Sequence, residues 1–457
     1  MRVDFDKYKE WTSKESPTEA EFNQVLEKAK ELKGLTLEEA AVLLRIEDHQ
    51  QIQKLMDVAS YVKKEIYGKR MVLFAPLYTG NVCCNNCLYC GFRKDNKELK
   101  RVVLTQDQIS SQVQSILESG HKRLLIICGE EGKNTLPNIV KSIRTAYAVE
   151  YKGQHIRRIN VEIAPLSVEE FKELKKEQIG TYICFQETYD PELYSHYHIS
   201  GPKKDYQYRL DVMDRAMEAG IDDVGIGALF GLADYKAEVL SLLAHAEHLE
   251  KTFGCGPHTV SVPRIEPAPG TPFSEAVPFP VSDDDFRKIV AILRVALPYT
   301  GIILSTRESE QLRKELFAYG VSQISAGSKT NPGGYGKEDS SNDNQFSLGD
   351  HRSLEQVIEN LVDQDFIPSF CTGCYRLGRV GNDFMDMAKP GLIKCFCLPN
   401  GMTSFAEYLH DFANKDLQKK GFDVIDRMMV DLPNSESVTH MKEALTKMEK
   451  GERDIYL

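Results

Sequence analysis

Three cysteines carry the strongest chemical signal in this chain. Cys83, Cys87 and Cys90 stand in LYTGNVCCNNCLYCGF, residues 77–92, as Cys-x3-Cys-x2-Cys. Three thiolates on so short a loop hold three irons of a cubane and leave the fourth iron without a protein ligand, whereas an electron-carrying cluster normally has four. An open coordination position on a metal is a catalytic feature. A zinc loop is the alternative, with Cys84 as fourth ligand. Adjacent Cys83 and Cys84 project poorly onto one tetrahedral site, so Cys84 reads as a bystander. A second constellation lies in FCTGCYRLGRVGNDFMDMAKPGLIKCFCLPN, residues 370–400. Cys371, Cys374 and Cys397 again make three thiolates, supplied by two segments. Two clusters with three ligands each suggest two reactive sites and not an electron wire. Here the zinc alternative takes Cys395 as fourth ligand.

The elements that must position these groups repeat along the chain. Apolar or β-branched runs occur at 71–79, 123–128, 158–164, 181–186, 223–229, 258–265, 301–306 and 321–326, with amphipathic helical stretches between them. Short parallel strands alternating with helices read as βαβ units, and eight such units close into an α/β (β/α)8 barrel. Residues 1–70 read as an N-terminal helical extension, with runs around 19–33 and 37–67. Residues 71–365 form the barrel, and 366–457 a mostly helical, cluster-binding C-terminal domain. The Gly-, Asn- and Ser-rich stretch 329–349 is expected to be a loop.

In a barrel of this kind the chemistry sits at the C-terminal ends of the strands. The first cysteine loop follows the first strand. Gly129 and Glu130 end the second strand, and Gln186, Glu187 and Tyr189 the fourth, with Arg209 following. Arg307 ends the seventh, where a planar guanidinium suits bidentate binding of an amino-acid carboxylate; the alternative is an ion pair with Glu308 or Glu310. Ser325 and Ser328 lie by the eighth strand. His258 instead begins the sixth strand, which puts it at the opposite face.

Composition narrows the rest. Eleven cysteines, an odd number with eight of them in two tight clusters, point to metal and not to a disulfide framework. A net charge of −11 argues against general nucleic-acid binding. No apolar run approaches the roughly 18 residues of a membrane span. The polar N-terminus lacks a signal or transit pattern, so the expected compartment is the cytoplasm.

The Cys-x3-Cys-x2-Cys loop with its following Gly resembles the radical S-adenosylmethionine (SAM) superfamily. Within it, the chain resembles the tyrosine-lyase maturases of FeFe-hydrogenase, the HydG family, nearly end to end. The resemblance rests on ELKGLTLEEAAVLL (31–44), QETYDPELYSHYHISGPKKDYQYRL (186–210), SVPRIEPAPGTP (261–272), SQISAGSKTNPGGY (322–335), QFSLGDH (345–351) and the C-terminal cysteine stretch. Val380, where Thr is expected, and the additional Cys84 and Cys395 depart from the pattern; none removes an expected ligand.

The resemblance implies a 4Fe–4S cluster on Cys83, Cys87 and Cys90 that chelates SAM, with Gly129 and Glu130 at the methionine amino group and Gln186, Glu187 and Arg209 nearby. It implies that the adenosyl radical takes hydrogen from the amino group of L-tyrosine and that the Cα–Cβ bond then breaks to give p-cresol and dehydroglycine. It implies Arg307 as the catalytic, substrate-binding residue, helped by Ser325 or Ser328. A second 4Fe–4S cluster on Cys371, Cys374 and Cys397 carries an additional iron held by His258, where carbon monoxide and cyanide are captured as an Fe–CO–CN synthon for H-cluster assembly. An electron donor such as ferredoxin or flavodoxin and the other hydrogenase maturases are the implied partners, with no nucleic acid and no membrane. Two other functions remain open: 2-iminoacetate synthase of thiazole biosynthesis, which does not need the second cysteine set, and a non-catalytic iron–sulfur scaffold.

Overall fold

A computed structural model describes residues 1–336, 343–389, 393–430, 432 and 435–457, without the side chains of Asn134, Ile393, Lys394 and Cys395. Eight parallel strands close on themselves: β1 Arg70–Gly80, β2 Arg123–Cys128, β3 Arg158–Glu162, β4 Tyr182–Ile183, β5 Val224–Gly227, β6 Thr259–Ser261, β7 Gly301–Leu304 and β8 Gln323–Ser325. Each pairs with its neighbour in sequence, and β8 returns to β1 through Val72↔Gln323, Leu73↔Ile324 and Phe74↔Ser325. The expected α/β barrel is therefore present.

Burial on both faces explains the near-continuous apolar runs. In β1, every residue from Met71 to Gly80 is buried. Five of the helices that follow strands begin at hydroxyl caps. Thr105, Ser167 and Ser353 form capping boxes, and Ser282 and Ser309 cap with their side chains. Each such cap contributes about 1 kcal/mol and fixes where a loop ends.

Several strands stop short of their expected ends. The run 258–265 is a regular strand only over Thr259–Ser261, because Pro263 has no N–H to give the ladder, and pairing resumes as a bridge between Arg264 and Phe230. The run 181–186 forms a two-residue strand, although Gln186 N–H still donates to Gly227 O at 2.9 Å. Helix 208–219 divides at Asp211 into Tyr206–Leu210 and Val212–Glu218.

The N-terminal extension forms four helices, Phe5–Thr12, Glu19–Ala29, Leu37–Leu44 and His49–Tyr67. The expected run 37–67 breaks because Asp48 accepts from the N–H groups of Gln50 and Gln51 and starts a new helix. Within 329–349 the described residues form neither helix nor strand; 337–342 lie outside the described residues.

A ninth strand, β9 Ile367–Ser369, escapes the sequence pattern. It pairs parallel with Arg70–Val72. Val72 also pairs with Gln323, so the two partners occupy opposite edges of β1, and β9 fills the edge below Ala75, where β2 begins. Three residues are too few for periodicity, and Pro368 is tolerated because β9 is an edge strand. Residues 370 onward thus start inside the barrel sheet, at its lower rim.

Helices Gly373–Arg376, Gly381–Ala388, Ile393–Asp411, Lys415–Val430 and Glu436–Glu449 follow. The helix Ile393–Asp411 is pinned to the barrel by a buried pair. Arg157 donates to both oxygens of Glu407, which also accepts from Asp454 N–H at 3.0 Å. Among the described residues no helix is long and apolar enough to cross a membrane.

Removing one partner of a buried ion pair costs about 3 kcal/mol. Glu407→Ala is therefore expected to expose the helices after residue 370 to limited proteolysis while the barrel stays resistant. Uniform resistance would show that the pair does not hold that segment.

Candidate active site

The upper cysteine loop is tied down at both ends. Asn81, fully buried, donates to Lys100 O and accepts from Val102 N–H at 2.9 and 2.7 Å. Arg101 fans its guanidinium over the carbonyls of Asn81, Phe92, Arg93 and Asn96. The loop also lies hard against the end of β2. A Cβ on Gly129 would sit 2.3 Å from Val82 O, so only glycine permits this approach. Cys84 N–H donates to Glu130 O at 2.8 Å, and the Glu130 carboxylate accepts from Asn85 Nδ2 at 2.6 Å.

The three thiols fit a sulfur-ligated cluster. Asn85 Nδ2 lies 3.7 Å from Cys83 Sγ and Gln345 Nε2 3.8 Å from Cys90 Sγ, amide donors that favour thiolate sulfur. Burial pushes the Cys87 thiol up to about 12, so loading metal there displaces a proton.

Polar groups gather beside the loop. Gln186 is 3% exposed, yet both its amide atoms lack a partner. An unpartnered buried amide is costly, and this one fits a polar ligand. Glu187 pairs with Lys203 and, at 3.5 Å, with Arg209, whose Nε donates to Phe185 O at 2.6 Å. Glu187 has φ +73°, a conformation that stores about 1–3 kcal/mol in a non-glycine residue. The fully buried side of the same turn holds it there: Thr188 Oγ1 and Tyr189 N–H both donate to the Glu238 carboxylate, and Leu229 N–H donates to Glu187 O. Tyr189 turns away from the mouth, its hydroxyl 2.8 Å from His245 Nδ1.

Below the loop, a cavity walled mostly by apolar side chains occupies the upper barrel. Phe74, Pro76 and Tyr78 of β1, Leu125 and Ile127 of β2, and Phe185 and Phe346 form its apolar wall. Arg307, Ser325, Ser328 and Glu162 supply polar groups. Arg307 does not pair with its sequence neighbours. Glu308 takes Arg264, and Glu310 takes Arg352. The guanidinium instead lies 3.3 Å over the Phe346 ring, and among the described residues no hydrogen bond or ion pair occupies its fork. Ser328 Oγ is buried without a partner. The cavity sets one cationic fork, suited to a carboxylate, against an apolar aromatic wall.

At the other end of the barrel, His258, Cys371, Cys374 and Cys397 line one cavity. His258 precedes β6, as expected. Its Nε2 lies 3.2 Å from Tyr375 Oη and its Nδ1 3.6 Å from Asp223. Burial lowers the imidazole below its ordinary range and so favours the neutral, ligating form. Gly373 N–H donates to Cys371 Sγ at 3.3 Å. A hydrogen bond from Cys374, with Arg70 and Arg379 nearby, lowers the Cys397 thiol, while that same bond raises Cys374 and burial raises Cys371. Arg70, Arg123 and Arg379 each keep a buried Nε without a partner. Several cationic donors around three sulfurs fit an anionic thiolate cluster.

Among the described residues no three thiol, imidazole or carboxylate groups close on a point for a single metal ion. A cubane makes no such demand, since its sulfurs bind different irons. Cys395, the alternative fourth ligand, has its side chain outside the described residues.

Sequence reasoning missed two features. Glu162, in the upper cavity, was hidden in a strand; its signal is a carboxylate in an otherwise apolar parallel run. Two of the arginines around the lower cavity also had a signal: Arg70 and Arg123 open the first two strands.

Residues 77–245 match the radical SAM superfamily, and residues 261–367 match the biotin and thiamin synthesis associated domain. The 2-iminoacetate synthase of Salmonella typhimurium is 30% identical over 362 residues, covering 78% of this chain and 92% of that protein. The FeFe-hydrogenase maturase subunit HydE of Thermotoga maritima is 27% identical over 288 residues, covering 62% and 76%. Among solved structures, HydG, a maturase of the FeFe-hydrogenase, superposes with a TM-score of 0.96 at 47% identity, covering 100% of this chain and 99% of that one. HydG from Carboxydothermus hydrogenoformans superposes with a TM-score of 0.84 at 45% identity, covering 96% and 97%.

The close approach at Gly129 is open to a direct test. Gly129→Ala forces the loop off β2 at a cost of about 1–3 kcal/mol. The expected result is loss of iron from the upper loop with the lower cysteines still loaded, read by iron analysis and electron paramagnetic resonance (EPR). Full iron content would contradict the packing role.

Proposed function

The chain belongs to the radical SAM superfamily, in company with 2-iminoacetate synthase and HydG, and from that premise we propose that it is a tyrosine lyase that also builds an Fe–CO–CN product at a second cluster. The observation that carries the proposal is the convergence of His258 with Cys371, Cys374 and Cys397 at the lower end of the barrel that holds the Cys83, Cys87 and Cys90 loop at its upper end.

Cys83, Cys87 and Cys90 hold the upper 4Fe–4S cluster. When bound and reduced, that cluster supplies the electron that splits SAM and yields the adenosyl radical. Glu130 and the Gly129 backbone orient the methionine end of SAM. Gln186, Glu187 and Arg209 position the rest of the cofactor, with the pairing among Glu187, Lys203 and Arg209 keeping those side chains still. Arg307 binds the carboxylate of tyrosine through its free fork. Such a charge-assisted contact contributes about 1.5–3 kcal/mol. Ser325 and Ser328 add donors beside it, and the aromatic wall shields the reacting centre from water. Cys371, Cys374 and Cys397 hold the lower cluster, and His258 holds the additional iron.

On this reading residues 71–365 are the lyase barrel, 366–457 the second-cluster segment and 1–70 a helical cover. A ferredoxin or flavodoxin supplies electrons, other hydrogenase maturases receive the product, and the reaction runs in the cytoplasm. A plain 2-iminoacetate synthase is the second reading. The match to that enzyme leaves part of this chain unmatched, whereas HydG matches all of it.

Two substitutions separate these readings. Replacing Cys371 and Cys374 with Ala is expected to leave SAM cleavage and p-cresol formation near wild type and to abolish carbon monoxide and cyanide delivery. A variant that matures hydrogenase as well as wild type would leave the plain lyase. Arg307→Lys keeps the charge but loses the planar fork, and is expected to weaken tyrosine binding about tenfold, which is 1.4 kcal/mol, with SAM binding spared. Unchanged tyrosine affinity would remove Arg307 from the substrate site.

A further inference from the structure

We propose that Glu162 is the second anchor of the amino-acid substrate: it accepts the α-ammonium group opposite Arg307 and takes one proton from it before the radical step. The inference rests on the lyase reading and deepens it.

Glu162 is the last residue of β3 and lines the same cavity as Arg307. It is half-buried, in a strand whose other four residues are all buried. Among the described residues no hydrogen bond or ion pair holds its carboxylate. The residue beyond the cavity wall that already has a carboxylate's task, Glu187, is committed to Lys203 and Arg209. Glu308 is committed to Arg264. Glu162 is thus a carboxylate left free to face a ligand, in a cavity that also presents a free guanidinium.

A zwitterion offers one carboxylate and one ammonium. A site with only Arg307 would bind any 3-arylpropionate as well as an amino acid. Glu162 supplies the complementary charge and hence the selectivity for an α-amino group. Its chemistry also meets a need of the reaction. An ammonium nitrogen has no lone pair to stabilise a radical, whereas a neutral amine does. One proton moves from the substrate nitrogen to Glu162 Oε, leaving the amine with its lone pair; no electron moves in that step. The charged and titratable groups around Glu162 are Tyr78, Glu187, Lys203, Arg209 and Arg307. Burial, reinforced by Glu187 and opposed by Arg307 and Lys203, pushes the Glu162 carboxyl up to about 7, which suits a base working near neutrality.

The test compares two ligands in the reconstituted, SAM-loaded holoprotein: L-tyrosine and 3-(4-hydroxyphenyl)propionate, which lacks only the amino group. Glu162→Gln keeps the shape and loses the charge. The expected result is weaker tyrosine binding by roughly 10- to 100-fold, the range of a charge-assisted hydrogen bond, with the propionate unchanged; its binding also certifies that the cavity is intact. The rising acid limb of p-cresol formation against pH should flatten in the variant. Equal loss for both ligands would overturn the proposal, as would a loss of SAM affinity with tyrosine affinity intact, which would give the carboxylate to the cofactor. Arg307→Lys should weaken both ligands alike. Wild-type protein that binds neither ligand would overturn the lyase reading itself, and this inference with it.

Discussion

The pairing of β1 with β8 is the contact on which both sites depend. It closes eight parallel strands and makes one shared interior from residues far apart in sequence. β1 is the longest strand, with eleven residues. Its side chains alternate with a period of two, so inward positions recur along one wall. Val72 lines the lower cavity, and Phe74, Pro76 and Tyr78 line the upper one. β2 does the same with Arg123 below and Leu125 and Ile127 above. Opening the barrel at β1–β8 would therefore lose both sites together. Ser325 and Gln323 of β8 face the upper and lower cavities, on either side of the closing register.

The two ends differ in how charge is balanced. Above, Glu187 pairs with both Lys203 and Arg209 at close range, and among the described residues Arg307 is the guanidinium left with a free fork. Below, Arg70, Arg123 and Arg379 reach the cavity with free guanidinium nitrogens. Buried charge costs several kcal/mol unless it is met by opposite charge or hydrogen bonds. Three thiolates in the lower cavity, once bound to metal, would meet that requirement. On this account the upper end is built to orient an organic cofactor and substrate, and the lower end to stabilise an anionic metal assembly. β9 links the two tasks, because it extends the barrel sheet and hands the chain directly to Cys371.

Much of this was legible in the sequence for a physical reason. In a parallel barrel, the order of strand and loop fixes which end a residue occupies. Cys83, Glu130, Gln186, Glu187 and Arg307 follow strands and lie above; His258 precedes one and lies below. Spacing made the cysteine trios visible. What stayed hidden depends on three-dimensional neighbours. Nothing in the local sequence says that Asn81 and Arg101 latch the cysteine loop, since their partners are backbone carbonyls. The left-handed Glu187 looks like any residue after a strand; its support, Glu238, lies on a helix some fifty positions later. β9 is too short for a pattern, and Glu162 reads as a strand end until Arg307 is seen to share its cavity.

The central claim is that one barrel carries two iron sites at its opposite ends. Anomalous diffraction at the iron absorption edge, from crystals of protein reconstituted with iron and sulfide, measures this most directly. The account predicts two iron peaks, one enclosed by Cys83, Cys87 and Cys90 and the other by Cys371, Cys374 and Cys397, with density reaching toward His258. A single iron site at the upper loop, with zinc or no metal among the lower cysteines, would contradict it.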